Sequence, residues 1–218
     1  MIDAVLFDFD GTLADTAADL GAALNRLLTE SGRAPLPLQA IRPHVSQGVR
    51  GLLGIGFGMT PEDASYAAFR QRFLASYDES LCAATALFDG VAGVLEWLEA
   101  KRIIWGVVTN KHSRYTLPIM ASLGLTQRAA CIVSGDSSPR PKPAPDPLWL
   151  ASALINVDPA RCLYIGDDLR DIQSARAAGM GAIAAAWGYL GEETPLEKWG
   201  ADAIIQAPAD LVGLLAGA

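Results

Sequence analysis

The sequence predicts an α/β protein with a parallel sheet, interrupted near its start by a helical insertion. Three observations carry that expectation. From residue 103 onward, short apolar runs of strand length alternate with amphipathic segments, the βα rhythm of a parallel sheet. The first apolar run, near the N-terminus, ends abruptly in two aspartates. Between about Asp15 and Phe88 the strand signals vanish and a helical period takes over.

Strands are expected over 4–9, 103–108, 131–133, 162–166, 181–186 and 203–205, each a compact run of branched and apolar residues bounded by Gly, charge or polar turns. Helices are expected between them: one carrying Leu117, Met120, Ala121 and Leu123, another over 148–155, and a third over 169–178 stopped by Gly179. In the insertion, Leu20, Leu24, Leu27 and Leu28 make one apolar stripe. Tyr66, Phe69, Phe73 and Tyr77 make a second, read as core, on a helix begun by Thr60-Pro61-Glu62-Asp63, a capping pattern with Pro in the first turn. Gly54, Gly56 and Gly58 do not have the spacing of a dinucleotide loop, and no Walker lysine is present.

The stretch Ala4-Val-Leu-Phe-Asp-Phe-Asp-Gly-Thr-Leu-Ala-Asp-Thr16 drives Asp8 and Asp10 off the end of a strand read as buried on both faces. In open parallel sheets ligands bind at the carboxyl ends of the strands. Unpaired buried carboxylates cost several kcal/mol, so a metal ion or another cation is expected beside them. Two acids there could instead cap the next helix. A calcium loop does not fit, because its sixth position requires Gly and here is Leu13.

The string D-x-D-G-T-L-x-D-T resembles the first motif of the haloacid dehalogenase superfamily, and the chain supplies three further pieces in order. Ile103-Ile-Trp-Gly-Val-Val-Thr109-Asn110-Lys111 resembles the second motif, Arg140-Pro-Lys142-Pro-Ala-Pro-Asp146-Pro the third, and Cys162-Leu-Tyr-Ile-Gly-Asp167-Asp168-Leu-Arg-Asp171 the fourth. The resemblance implies a Rossmann-like core formed by 1–14 and 89–218, with 15–88 as an inserted α-helical cap and hinges near Asp15 and Phe88. It implies phosphoryl transfer rather than dehalogenation, because a halide leaves without a proton and Asp10 is present.

On that resemblance Asp8 is the nucleophile, forming an aspartyl-phosphate, and Asp10 is the general acid and base. Five acids and a phosphate dianion converging at one point repel strongly, which calls for a hard cation bound through oxygen, Mg2+. Its implied ligands are the side chains of Asp8 and Asp167 and the backbone carbonyl of Asp10, with Asp168 and Asp171 orienting bound water. Lys142 offsets the charge of Asp8 and the phosphate, while Thr109 with the backbone N–H groups after Asp8, at Gly11 and Thr12, holds phosphoryl oxygens. Asn110 and Lys111, following Thr109, and Gln47, Gly48 and Arg50 in a polar break of the insertion are candidates to face substrate. Arg50 suits a carboxylate, and His112 is a further candidate.

Over nearly its full length the chain resembles the phosphoglycolate phosphatases. Trp105-Gly-Val-Val-Thr-Asn-Lys111, Gly166-Asp-Asp-Leu-Arg-Asp171 and the tail around Trp187-Gly-Tyr189 and Trp199-Gly-Ala-Asp202 are similar to N-acetylmuramic acid 6-phosphate phosphatases. Both substrate types pair a phosphate ester with a carboxylate. A sugar phosphomutase uses the same four motifs, and a non-catalytic binder could share the fold without needing all of them.

Composition bounds the rest. The 218 residues are 51% hydrophobic and 19% charged, enough for a full core and a smaller appended unit. With 17 Lys and Arg against 24 Asp and Glu, and no basic stripe, the net charge of -7 disfavours nucleic acid and anionic membrane as partners. A small phosphorylated metabolite is expected instead, handled by a monomer or homodimer. Cys82, Cys131 and Cys162 show no paired spacing, no apolar leader opens the chain and no run is long enough to span a membrane, so a cytoplasmic setting is expected.

Overall fold

In the computed structural model, which describes residues 2–191 and 194–217, β1 (Ala4–Phe7) opens the chain and is followed by a two-residue strand, β2 (Ala14–Asp15). Four helices come next: α1 (Ala17–Glu30), α2 (Leu38–Ile41), α3 (Gly48–Phe57) and α4 (Tyr66–Asp78). A short strand, β3 (Ala86–Leu87), then pairs antiparallel with β2. The remainder alternates: α5 (Val91–Ala100), β4 (Ile104–Val108), α6 (Ser113–Ser122), β5 (Ile132–Val133), α7 (Asp146–Ile155), β6 (Cys162–Gly166), α8 (Leu169–Ala178), β7 (Gly181–Ala185), β8 (Ala203–Ile205) and α9 (Asp210–Ala216).

Six strands form one parallel sheet in the order β5-β4-β1-β6-β7-β8. β1 is central, and its four residues are all buried because both faces are covered. Ala4 and Leu6 point into a core shared with Leu148 of α7 and Ile172 of α8. Val5 and Phe7 point the other way, into a core shared with Val94 and Leu95 of α5 and Leu211 of α9. This alternation within a continuously apolar run is what a doubly covered parallel strand requires.

The six expected strands are all found. β1 ends at Phe7, two residues early, because the chain turns sharply there: the Phe9 carbonyl accepts from the N–H groups of Thr12, Leu13 and Ala14 at 3.4, 3.1 and 2.9 Å. α8 has the expected bounds and stops at Gly179, which adopts φ +77. The helix expected to start at Thr60 does not: Asp63 accepts from the Thr60 N–H at 2.6 Å, but this closes a local turn, and helix begins only at Tyr66.

The helical stretch is held together by the predicted leucine stripe. Leu20, Leu24, Leu27 and Leu28 of α1 pack in one buried cluster with Leu52 and Leu53 of α3 and Phe73 and Tyr77 of α4. The β2–β3 ribbon ties the entry of this stretch to its exit, pairing Ala14 with Leu87 and Asp15 with Ala86. Strands this short carry no readable periodicity. No helix among the described residues is long and apolar enough to cross a membrane.

Candidate active site

Parallel register brings β1, β4 and β6 to a common carboxyl edge, with Phe7 level with Val107 on one side and Ile165 on the other. The residues just beyond are therefore Asp8, Thr109 and Asp167, and the Asp8 N–H donates to the Ile165 carbonyl at 2.8 Å. Three apolar strands each ending in a polar residue thus become one polar cluster.

Asp167 is fully buried and accepts from Thr12 Oγ1 at 2.9 Å, the Tyr189 N–H at 2.8 Å and Ser46 Oγ at 3.1 Å. Gly11 and Gly188 make room for it: a Cβ on either would overlap the Asp167 side chain, and Gly11 also sits at φ +87. Burial, and then the neighbouring charges of Asp8 and Asp171, push the Asp167 carboxyl well above the usual carboxylate range.

Lys142 is 4% exposed, and its ammonium is 2.6 Å from Asp171 Oδ1, 2.7 Å from the Tyr164 hydroxyl and 2.9 Å from Asp8 Oδ1. Burial opposes its charge, but Asp171 and Asp8 outweigh that and raise its pKa. Burial acts on Asp8 in the other direction, raising its carboxyl to about 7 against the pull of Lys142. The contact from Lys142 to Asp8 is electrostatic and poorly directed as a hydrogen bond, so Asp8 Oδ1 is buried with no hydrogen-bond donor. Asp171 also closes the N-terminus of α8, its Oδ2 accepting from the Asp168 N–H at 3.0 Å while the Asp168 side chain accepts from the Arg170 N–H.

Asp8, Asp167 and Asp171 offer carboxylate oxygens that all lie within 4.8 Å of one another, and all three residues are buried. Three carboxylates face a single ammonium, every donor is oxygen, and one of these oxygens, Asp8 Oδ1, has the Lys142 ion pair but no hydrogen bond. This set fits a hard divalent cation. The predicted Asp8 and Asp167 are brought together here, and Asp171 stands beside them. Asp168 lines the cavity too, its carboxylate paired with the Arg170 guanidinium at 2.8 Å. Burial opposes the Asp168 charge, but the hydrogen bonds and charge of Arg170 hold its carboxyl below the usual range.

Asp10 stands beside this cluster with its side chain held by Thr16 Oγ1 at 2.6 Å and by Lys111 Nζ at 3.1 Å. Lys111 is 8% exposed, and its ammonium lies 5.1 Å from the centre of the Tyr77 ring. Thr109 is buried, and its hydroxyl accepts from the Lys111 N–H at 3.1 Å. The amides of Gly11 and Thr12 are engaged within their own turn, with Ala14 and Phe9 carbonyls respectively.

A cavity of about 480 Å³ opens over Asp8 and Asp10, lined on the sheet side by Thr109, Asn110, Lys111 and Lys142. Its other wall comes from the helical stretch: Gln47 and Gly48 as expected, and also Arg70, Phe73, Leu74 and Tyr77 of α4. Gly48 is required by its φ of +61 and not by crowding, since a Cβ there meets nothing within 4 Å. Arg50 lies outside this cavity and lines a neighbouring hollow with Gln47, Arg170 and Trp199. His112 lines the cavity rim and its Nδ1 caps α6, accepting from the Arg114 N–H. Phe73 and Tyr77 are buried, as their stripe suggested, but they wall the cavity too. A helical aromatic stripe reads the same whether it faces a core or a ligand.

The comparisons agree with this geometry. Residues 5–185 match the family model for haloacid dehalogenase-like hydrolases. An N-acetylmuramic acid 6-phosphate phosphatase of Pseudomonas putida is 42% identical over 208 residues, spanning 95% of this chain and 93% of that one. A phosphoglycolate phosphatase of Xanthomonas campestris pv. campestris is 43% identical over 209 residues, spanning 95% and 94%. The crystal structure of a predicted phosphoglycolate phosphatase from Haemophilus somnus superposes with a TM-score of 0.86 at 25% identity, covering 98% of each chain. With three strand ends and the Lys142 loop converging on one acidic pocket and relatives matched over nearly their whole length, the chain belongs to the haloacid dehalogenase-like hydrolase family, as one of its phosphatases.

Proposed function

We propose that this chain is a Mg2+-dependent hydrolase of small carboxylated phosphate monoesters that works through an aspartyl-phosphate on Asp8. The observation that carries the reading is the placement of Asp8 at the floor of a 480 Å³ cavity, 2.9 Å from Lys142, with a second acid, Asp10, beside it.

Asp8 attacks phosphorus in line, and the bond to the leaving oxygen breaks. Asp10 sits where a carboxyl can give that oxygen a proton and later take one from the water that cleaves the aspartyl-phosphate. Lys111 and Thr16 fix its orientation. Lys142 and the Thr109 hydroxyl stabilise charge on the phosphoryl oxygens. Asp8 and Asp167, with the Asp10 carbonyl, would hold Mg2+, and Asp171 and Asp168 would support the bound water. The ion, when bound, neutralises the carboxylates and phosphate that otherwise repel one another.

In this reading residues 15–88 are a cap that closes the cavity and excludes bulk water. The Ser46 hydroxyl on Asp167 and the Ser46 carbonyl accepting from Arg170 at 2.7 Å join the two parts across the site, a shut arrangement. A cytoplasmic monomer or homodimer acting on a phosphorylated metabolite agrees with the composition.

Between the two esters named among the relatives, the cavity volume favours the larger, N-acetylmuramic acid 6-phosphate, because phosphoglycolate would leave most of this space to water. The test is turnover of p-nitrophenyl phosphate with and without Mg2+, in the wild type and in Asp8→Asn. Magnesium-dependent release that is lost in the variant supports the reading. In labelled water, heavy oxygen in the released phosphate marks hydrolysis, whereas a mutase returns the phosphoryl group to the sugar and releases no phosphate.

A further inference from the structure

We propose that the face of α4 formed by Arg70, Phe73, Leu74 and Tyr77 is the subsite for the non-reacting end of the substrate. It selects a hexose-sized phosphate ester whose carboxylate lies far from the phosphate. The inference rests on the phosphatase reading above and adds to it the class of leaving group and the residues that recognise it.

Positions 70, 73, 74 and 77 have the spacing of one helical face, and all four line the cavity. Tyr77 is the inner end of that face, since its ring lies over the Lys111 ammonium that holds Asp10. Arg70 is the outer end, two turns back, or roughly 10 Å along the helix. Phe73 and Leu74 supply an apolar strip between them.

Both ends lack partners. The Tyr77 side chain is 1% exposed, and its hydroxyl proton has no acceptor, since the Lys111 ammonium beside it can only donate. Its ring packs between Phe73 and Tyr115, with centroids at 6.5 and 5.3 Å. Burial lifts the phenol to about 12, keeping it a donor. A buried hydroxyl proton left unpaired is destabilising, and a ligand oxygen in the cavity would relieve that.

At the outer end, the other strong cations of the cavity are occupied. Lys142 is paired with Asp8 and Asp171, Lys111 with Asp10, Arg170 with Asp168, and Arg114 with Asp78. Among the described residues no carboxylate lies within ion-pair reach of Arg70, which is exposed at the mouth. A guanidinium fork is the side chain best shaped to take a carboxylate in two hydrogen bonds. With the phosphate held at Asp8, a carboxylate one methylene from the ester oxygen cannot reach Arg70. One carried on the far side of a pyranose ring can, with the ring's apolar face on Leu74, which the buried Phe73 backs.

The test compares kcat/KM for N-acetylmuramate 6-phosphate and N-acetylglucosamine 6-phosphate, the same sugar phosphate without the carboxylate, with p-nitrophenyl phosphate as a third substrate. The wild type should prefer the carboxylated sugar at least tenfold. Arg70→Gln should erase that preference mainly through KM, Arg70→Lys should keep part of it, and Tyr77→Phe should lower kcat/KM several-fold for both sugars. A wild type without the preference, an Arg70→Gln enzyme that retains it, or an unaffected Tyr77→Phe enzyme overturns the inference. Turnover of the aryl phosphate with neither sugar accepted also overturns it and leaves the phosphatase reading standing, whereas no turnover of any of the three removes both.

Discussion

The Asn110 side chain clasps the main chain of Lys142 on both sides, its Oδ1 accepting from the Lys142 N–H at 2.9 Å and its Nδ2 donating to the Lys142 carbonyl at 3.0 Å. A residue at the end of β4 thereby fixes the position of a cation that arrives from a proline-rich loop 32 residues later. Asn110→Ala removes both bonds while leaving the ammonium and its partners in place. It should lower kcat by roughly ten- to a hundredfold, as small misplacements of catalytic groups do, with a smaller change in KM. Steady-state kinetics check this, and wild-type kcat in the variant would show that Lys142 needs no such support.

Asp8 makes the metal-free protein sensitive to pH. Its carboxyl titrates at about 7 when folded, mainly because it is buried, against 3.8 ordinarily. The folded state thus holds this proton more tightly than the unfolded one. Stability from this group is highest below about pH 4, falls as the pH rises to about 7 and then stays low. In chelator, Asp8→Asn should unfold several degrees higher than wild type at pH 8, and the gain should shrink toward zero near pH 4. Thermal scans at the two pH values decide it; an Asp8→Asn protein less stable than wild type at pH 8 contradicts the assignment.

Mg2+ should reverse the same penalty. Millimolar magnesium should raise the unfolding temperature of the wild type more at pH 8 than at pH 5, because the ion competes with protons for Asp8 and Asp167. Asp167→Asn should lose most of that shift. Equal shifts at both pH values, or an undiminished shift in Asp167→Asn, would place the ion elsewhere.

Gly11 shows how tightly the site is packed. A methyl group there would overlap the Asp167 carboxylate, and the backbone at φ +87 disfavours any side chain. Gly11→Ala should cost about 1–3 kcal/mol of stability and nearly all turnover, measured by denaturant unfolding and kinetics. Gly32, at φ +71 with open space around it, should cost only the backbone strain and leave turnover unchanged when replaced by Ala.

These residues divide into those a linear reading can find and those it cannot. Asp8, Thr109 and Asp167 were legible because each breaks an apolar strand with a polar side chain, and strand ends in a parallel sheet share one edge. Lys142 was legible only through its proline-flanked context, since nothing in spacing alone joins it to Asp8. The second role of Asn110 was hidden because its partner is main chain. The stripe marks Tyr77 as core, and it is buried, yet the cavity lies along the same face. Arg70 looks like any solvated arginine, and its significance appears only once the other cations are seen to be paired. Arg50 drew attention through a nearby glycine break, whereas the fold turns it toward a different hollow. The β2–β3 ribbon was illegible because two-residue strands have no period.

If phosphate passes through Asp8, mass spectrometry of the enzyme quenched during turnover should find it there. Asp10→Asn, which on the proposed mechanism lacks the acid that activates water, should accumulate phosphate on the peptide containing Asp8, and the label should vanish in the Asp8→Asn, Asp10→Asn double variant. A phosphate found on any other residue, or none in a variant that still turns over an activated aryl ester, would contradict the account.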